Sequence, residues 1–251
     1  MLRLSVIILT FNNIESTRQC LESLTRAIEH DDEVEIIVID NASTDGTPQF
    51  IQEQYPDIKL TVNPVNRGVA PARNQGIAQA SAPKILLLDN DTVVNRHAIQ
   101  GLVDYMDTHP QVGLCTCSLT DAGGNVQRSF RPFPGVQGKI LSLFGLRSAA
   151  EKFHFDEEGA LEPFYVIGAC QMIRREAMDA VGLLDEAIFY GPEDADFCIR
   201  LREAGWGVKY LPQFSIIHAY QRRTSHNPFS RLGIKHIKGL FYLYGKYHRF
   251  S

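Results

Sequence analysis

KILLLDND (residues 84–91) runs four apolar residues straight into two carboxylates separated by a single asparagine. An apolar run this short reads as a buried strand, and carboxylates are costly to bury unless they are paired or bind a cation. The stretch therefore predicts a strand whose last residues emerge at a sheet end, with Lys84 as its solvated start. Spacing alone leaves the role of Asp89 and Asp91 open. Alternate residues on a strand point the same way, so the pair either converges on a divalent cation or forms an acidic turn, in which Asp91 caps the next helix and Asn90 bonds locally.

The segments before it alternate two periods. LSVIILT (4–10) and EIIVID (35–40) are near-continuous β-branched runs, as expected of parallel strands covered on both faces. Between them Leu21, Leu24 and Ile28 recur at helical spacing over 15–29. A second helix is expected after NASTDGTP, with Thr47 as cap and Pro48 at its first position. Then come a short strand near 59–62, a helix over 69–80, the strand KILLLD, and a helix over 96–106 capped by Asn95. Strand, helix, strand in repetition predicts an α/β fold: an open, mostly parallel central sheet flanked by helices, with right-handed crossovers. Ligands of such sheets collect at the carboxyl ends of the strands. Asp40, Asp89 and Asp91 stand at such ends, and Thr10 and Asn12 follow the first strand.

After residue 110 the pattern changes. VGLCTCSLTDAGGNVQRSF reads as two strands joined by a turn at 123–125, and the proline- and glycine-rich stretch 131–160 as a loop with one short helix. LEPFYVIGACQMIRREAM reads as a strand turning into a helix. GPEDADFCIRLREAGW reads as a turn and a helix stopped at Gly205, with Asp196 and Arg200 in the stabilising i, i+4 order. GVKYLP and the apolar run FSIIH close the core.

Composition narrows the function classes. The 251 residues suffice for a sizeable core. A net charge of −4, spread without long single-sign blocks, argues against a nucleic-acid-binding surface, although the tail from Arg222 onward is basic and suits phosphates or an anionic membrane. Cysteines at 20, 115, 117, 170 and 198 make an odd count without a repeated metal-ligand pair, so they read as reduced, buried groups of a cytosolic protein. The N-terminal run MLRLSVIILT is short and lacks a small-residue cleavage pattern, and no segment reaches the roughly 18 apolar residues of a membrane span. The expected location is the cytoplasm, with peripheral membrane contact open to the tail.

Three further constellations carry chemistry. In YGPEDADFCIR, Glu193 and Asp194 open a helix, where backbone N–H groups stabilise carboxylates without any catalytic task. Equally, one carboxylate facing a cleft can take a proton from a hydroxyl. Helical spacing puts Asp194 with Phe197, Cys198 and Leu201, which would anchor it, and turns Asp196 toward solvent and Arg200. His218 ends SIIH; it is a structural histidine by default, or it completes a mixed oxygen and nitrogen shell that manganese tolerates better than magnesium. Arg222 and Arg223 either face a diphosphate or form a solvated turn. NPVNRGVAPARNQGI (63–77) sets Asn66, Arg67 and Gly68 at a helix start and Arg73 and Asn74 inside it, with Gly68 allowing close backbone approach and an arginine within reach of a base or phosphate. Neither G-x-G-x-x-G nor a Walker lysine loop follows any strand, which removes most support for NAD binding or ATP hydrolysis.

Taken in order, SVIILTFNN, EIIVIDNASTDGT, NRGVAPARNQGI, ILLLDNDT, GACQMIRREAMDAVGLLDE, GPEDADFCIRLREAGWGVKYLP and IIH resemble the inverting glycosyltransferase family 2 of the GT-A fold, closest in flavour to its rhamnosyltransferase-like branch of bacterial polysaccharide biosynthesis. The resemblance covers residues 4–220. It implies one GT-A domain over 1–251: a nucleotide-sugar half over about 1–110, an acceptor and catalytic half over about 111–220, and a basic, aromatic tail over about 221–251. It implies a nucleotide pocket with Thr10, Asn12, Asp40, Arg67 and Asp89, Arg222 near the diphosphate, and Mn2+ or Mg2+ on Asp91, His218 and Asp89. Asp194 matches the family's proposed general base. The implied donor is a nucleoside-diphosphate sugar, dTDP-rhamnose or a UDP-sugar, and the implied acceptor is a glycan or lipid-linked saccharide. Many members of the branch carry Asn-Pro-Asp where this chain has Asp89, Asn90 and Asp91, and the extra acid moves it toward the metal-binding form.

Two rivals stand beside this reading. A sugar-phosphate nucleotidyltransferase would place a glycine-rich basic loop after the first strand, where TFNNIEST stands instead. A non-catalytic nucleotide-sugar-binding subunit of a glycan assembly complex would not need Asp91, Asp194 and His218 together. The tail RLGIKHIKGLFYLYGKYHRFS fits a helix packed on the domain, an oligomer contact, or an interfacial membrane helix.

Overall fold

The two near-continuous apolar runs become neighbouring strands because each is covered on both faces. In the computed structural model, which describes residues 2–29, 31–127, 129–131, 155–219 and 230–247, β1 (Leu4–Thr10) pairs in parallel with β2 (Val34–Asp40). It pairs in parallel on its other side with β4 (Lys84–Asp89), and β2 continues to β3 (Lys59–Val62). The period of two divides these strands between two apolar layers. Val6, Ile8, Val38, Leu86 and Leu88 face α1 (Ile14–Ala27) and α4 (Arg96–Thr108), while Ile7, Ile37, Ile39, Ile85 and Leu87 face α3 (Val69–Gln79). Each such buried Ile or Leu stabilises the fold by about 1.5–3 kcal/mol. α3 lies so close to β1 that a Cβ on Gly76 would run into the Ile7 side chain.

The expected mostly parallel sheet is corrected: the sheet is mixed. Its order is β3-β2-β1-β4-β10-β6-β11-β5, with β5 (Thr92–Val93), β6 (Val112–Thr120), β7 (Val126–Gln127), β10 (Cys170–Arg174) and β11 (Gly207–His218), and with β7 beside β6. β10 runs antiparallel to both β4 and β6, and β5 and β7 run antiparallel to β11 and β6. Only β6 with β11 is parallel in this half. A strand reached without a crossover helix must run back the other way. After β6 the chain enters no crossover helix among the described residues. It turns at β7 and passes the small pair β8 (Phe130–Arg131) and β9 (Tyr165–Val166), and β10 follows, filling the place between β4 and β6. The apolar run of β10 carries no mark of its direction, so periodicity could not give this.

The remaining helices are α2 (Thr47–Gln54), α5 (Arg175–Val181), α6 (Glu193–Glu203) and α7 (Arg231–Tyr247). Asn95 caps α4 as expected, accepting from the Ala98 N–H. Thr47 does not cap α2: it is the first helical residue, after Gly46, and its N–H and hydroxyl both donate to Asp45. GVKYLP and FSIIH form one strand with an irregularity between Leu211 and Ser215. Lys84 is buried rather than solvated, and its Nζ meets Asp107 at 2.6 Å. Most of the 131–160 stretch expected as a loop lies outside the described residues.

Candidate active site

The carboxyl ends of β1, β2 and β4 open on a cavity of about 400 Å³, walled by Thr10, Phe11, Asn41, Gly68, Asp89, Asn90, Asp91, Phe189 and Tyr190 among others. Asn90 explains how the acidic turn is aimed. Its Nδ2 donates across the sheet to the hydroxyls of Thr10 and Thr17, at 3.2 and 2.9 Å, rather than to its own loop. With Asn90 pinned inward, the flanking carboxylates share the opposite side.

Asp91 Oδ1 lies 3.3 Å from His218 Nε2, and one ligand atom from each of Asp89, Asp91 and His218 falls within 4.8 Å of the other two. The strands bring this about, since β11 pairs His218 with Thr92. The imidazole is buried and its Nδ1 faces Gln127 Oε1 at 3.0 Å, while Gln127 Nε2 donates to the His218 carbonyl. With the amide oriented by that second bond, Nδ1 carries the proton toward Gln127 and Nε2 faces the carboxylates. Burial alone would lower the pKa of this ring, but its hydrogen bond to Asp91 and the charges of Asp91 and Asp89 outweigh burial and raise it. Two carboxylates and one imidazole are a donor set suited to a divalent cation such as manganese.

Arg73 joins this corner to the start of α6. Its guanidinium is buried and donates to Asp89 Oδ1 at 2.6 Å and to the Gly168 carbonyl at 2.8 Å, with Glu193 Oε1 at 3.6 Å. The guanidinium at this corner is thus paired with carboxylates. Burial pushes the pKa of Asp89 and of Glu193 upward, and the Arg73 charge holds both back. Asp194 follows Glu193, half-buried, with one oxygen accepting from the Ala195 N–H at 2.7 Å. Loss of water around it and the neighbouring Glu193 charge raise its pKa to about 7, against an ordinary 3.8. A carboxylate so placed is half-ionised near neutrality, the range a general base needs.

The other expected positions divide. Asp40 is fully buried at the end of β2; one oxygen accepts from the Ser43 N–H, the other has no hydrogen-bond partner, and the residue is not among the cavity walls. Asn12, at φ 47, spends its side chain on the Thr44 N–H and does not wall the cavity. Arg67 is exposed; its backbone N–H donates to Asn41 Oδ1, and its side chain is not among the cavity walls. Asp196 does not face solvent: it is fully buried between Arg200, Lys246 and the Tyr247 hydroxyl. Arg222 lies outside the described residues. Gly68 does allow a close approach, but to Phe189, whose carbonyl and ring a Cβ there would strike.

Sequence reasoning passed over Asn41 and Gln127. Asn41 donates to Asn66 Oδ1 and the Gly68 carbonyl and accepts from Asn63 and the Arg67 N–H, so it ties the 63–68 turn to the sheet end. Its only sequence signal was its place directly after a strand-end aspartate.

A family model described as glycosyl transferase family 2 matches residues 5–182. N-acetylglucosaminyl-diphospho-decaprenol L-rhamnosyltransferase of Mycobacterium tuberculosis is 30% identical over 260 residues, covering 96% of this chain and 83% of that protein. Poly-beta-1,6-N-acetyl-D-glucosamine synthase of Staphylococcus epidermidis is 28% identical over 217 residues, covering 84% of this chain and 48% of that protein. Among solved structures, a mannosyltransferase from Pyrobaculum calidifontis in complex with GDP-Man and Mn2+ has a TM-score of 0.64 at 22% identity, covering 89% of this chain and 59% of that one. The chain thus spans somewhat over half the length of that structure.

Proposed function

The chain belongs to glycosyl transferase family 2 and is a glycosyltransferase, and on that premise we propose that it moves one sugar, with inversion, from a nucleoside-diphosphate sugar to a hydroxyl of a glycan or lipid-linked acceptor. The observation that carries this reading is the meeting of Asp89, Asp91 and His218 within 4.8 Å at the rim of a cavity that strand ends enclose. A divalent cation, Mn2+ or Mg2+, fits that donor set and would supply charge neutralisation for the departing diphosphate.

The chain's own residues do the rest. Asp40, buried at the end of β2, holds the turn at 41–43 through the Ser43 N–H and so sets Asn41 in the cavity wall. Arg73 holds Asp89 toward the cleft and limits the negative charge shared by Asp89, Glu193 and Asp194. Asp194 takes the proton of the acceptor hydroxyl as its oxygen bonds to the anomeric carbon, and the bond to the diphosphate breaks with its electron pair leaving on the diphosphate. A single carboxylate suffices, because this leaving group needs no proton from a general acid of the kind glycosidases use. Thr10, a wall of the cavity, also orients the acidic turn through Asn90.

The rhamnosyltransferase relative, at 30% identity, favours dTDP-rhamnose as the first donor to try and UDP-sugars as the second. Mass spectrometry of the acceptor after incubation with a panel of nucleotide sugars and Mn2+ tests the reading: one donor should add its sugar to the acceptor. Tight donor binding without transfer or hydrolysis would point instead to a non-catalytic nucleotide-sugar-binding subunit.

A further inference from the structure

We propose that α7 docks the protein on an anionic lipid surface through its outward face. Residues 219–251 contain no acidic residue and seven arginines and lysines, whereas eighteen basic and twenty-nine acidic residues precede them. In a chain of net charge −4 this end is therefore a segment of net charge +7. Four of the eleven exposed large apolar side chains among the described residues lie on α7: Ile234, Ile237, Phe241 and Tyr242. Ile234, Ile237 and Phe241, at 45, 39 and 65% exposure, follow i, i+3, i+7 and form one stripe, with exposed Lys238 beside it.

The opposite face of the helix is occupied. Leu243 and Tyr244 are buried, Lys246 reaches Asp185 and Asp196 at 2.6 and 2.7 Å, and the hydroxyls of Tyr242 and Tyr247 bond the same two acids. Lys235 Nζ lies 3.1 Å from the centre of the Phe189 ring. These contacts tie α7 to residues 185–196, the segment that carries the cavity walls Phe189 and Tyr190 and also Asp194. The stripe is thus presented on a braced helix. A cationic helix of seventeen residues with one apolar stripe lies in the plane of a membrane interface, and no helix among the described residues is long and apolar enough to cross one. Docking would hold the cleft at a fixed height above the lipid; only that consequence rests on the proposed use of a lipid-linked acceptor.

Flotation of the full chain with vesicles tests the docking without any transfer assay, so its failure leaves the transfer reading intact. Partition onto vesicles of phosphatidylglycerol and phosphatidylcholine in equal parts should exceed partition onto phosphatidylcholine alone by about tenfold or more, and should fall with added salt. The Ile237→Ser, Phe241→Ser double variant should lose about tenfold, and Lys238→Glu several-fold. Circular dichroism checks the fold; if the double variant unfolds, Lys238→Glu and the lipid comparison decide. Absence of flotation, equal partition onto the two vesicle types, or unchanged partition of Lys238→Glu would overturn the proposal. So would a double variant that floats unchanged but turns a dimer into a monomer in sedimentation, since the stripe would then serve a second copy of the chain.

Discussion

Replacing Asp194 with Asn should abolish most turnover and at the same time stabilise the protein above neutral pH. The carboxyl pKa rises from 3.8 to about 7 on folding. Because the folded value lies above the unfolded one, the protonated form favours the fold: this stability is complete below about pH 4 and is lost as pH rises through about 7. That rise corresponds to about 4 kcal/mol, of which relaxation and water around a half-buried group leave about 1–2 kcal/mol. Asn keeps the shape and removes the charge. Its melting temperature should exceed that of the unaltered chain by about 2–8 °C at pH 8 and approach it near pH 4. Turnover should fall by about 10²–10⁴-fold with donor binding retained, and the rise in rate through about pH 7 should disappear from the residual activity. Calorimetric melts at the two pH values, with transfer rates on the same samples, supply both readouts. Retained turnover would refute the base assignment. Equal melting temperatures at pH 8 would refute the charge burial on which it rests.

Further perturbations separate the cation corner from its supports. Asp91→Ala and His218→Ala should each weaken Mn2+ binding, read from the free-ion electron paramagnetic resonance signal, by more than the roughly 10–100-fold typical of losing an outer-shell partner. Gln127→Ala, which only frees the imidazole to turn, should lose about 10-fold; unchanged Mn2+ affinity in Asp91→Ala would contradict the metal role. Arg73→Ala leaves Asp89 and Glu193 without their buried cation and should cost about 3–5 kcal/mol in urea unfolding, whereas an effect under about 1 kcal/mol would mean that the pairing is not maintained in solution. Gly76→Ala forces a methyl against Ile7 and should cost about 1–3 kcal/mol in the same assay, with no change in Mn2+ binding.

Much of the first half was legible because local signals and tertiary environment agree there. Continuous β-branched runs became strands buried on both faces, Asn95 became a cap, and the strand-end rule brought Asp40, Asp89 and Asp91 to the same edge. Strand direction was not legible in the second half: β10 reads as an apolar run whether it is parallel or antiparallel, and only its pairing with β4 and β6 decides. Side-chain partners far along the chain were equally hidden. Asp196 looked solvent-facing from its own helix, because the Lys246 and Tyr247 that cover it stand about fifty residues later. Arg73 stood inside a segment read as nucleotide-facing, yet it serves the carboxylates of β4 and α6. Long-range pairings of this kind leave no periodicity, so only the folded chain displays them.

The proposed transfer is a single direct displacement at the anomeric carbon, and the configuration of the transferred sugar is its sharpest test. Nuclear magnetic resonance of the product, compared with the donor, should show the configuration at the anomeric carbon inverted. Retention of the donor's configuration would require two successive displacements or attack on the face the diphosphate leaves, and would contradict direct displacement.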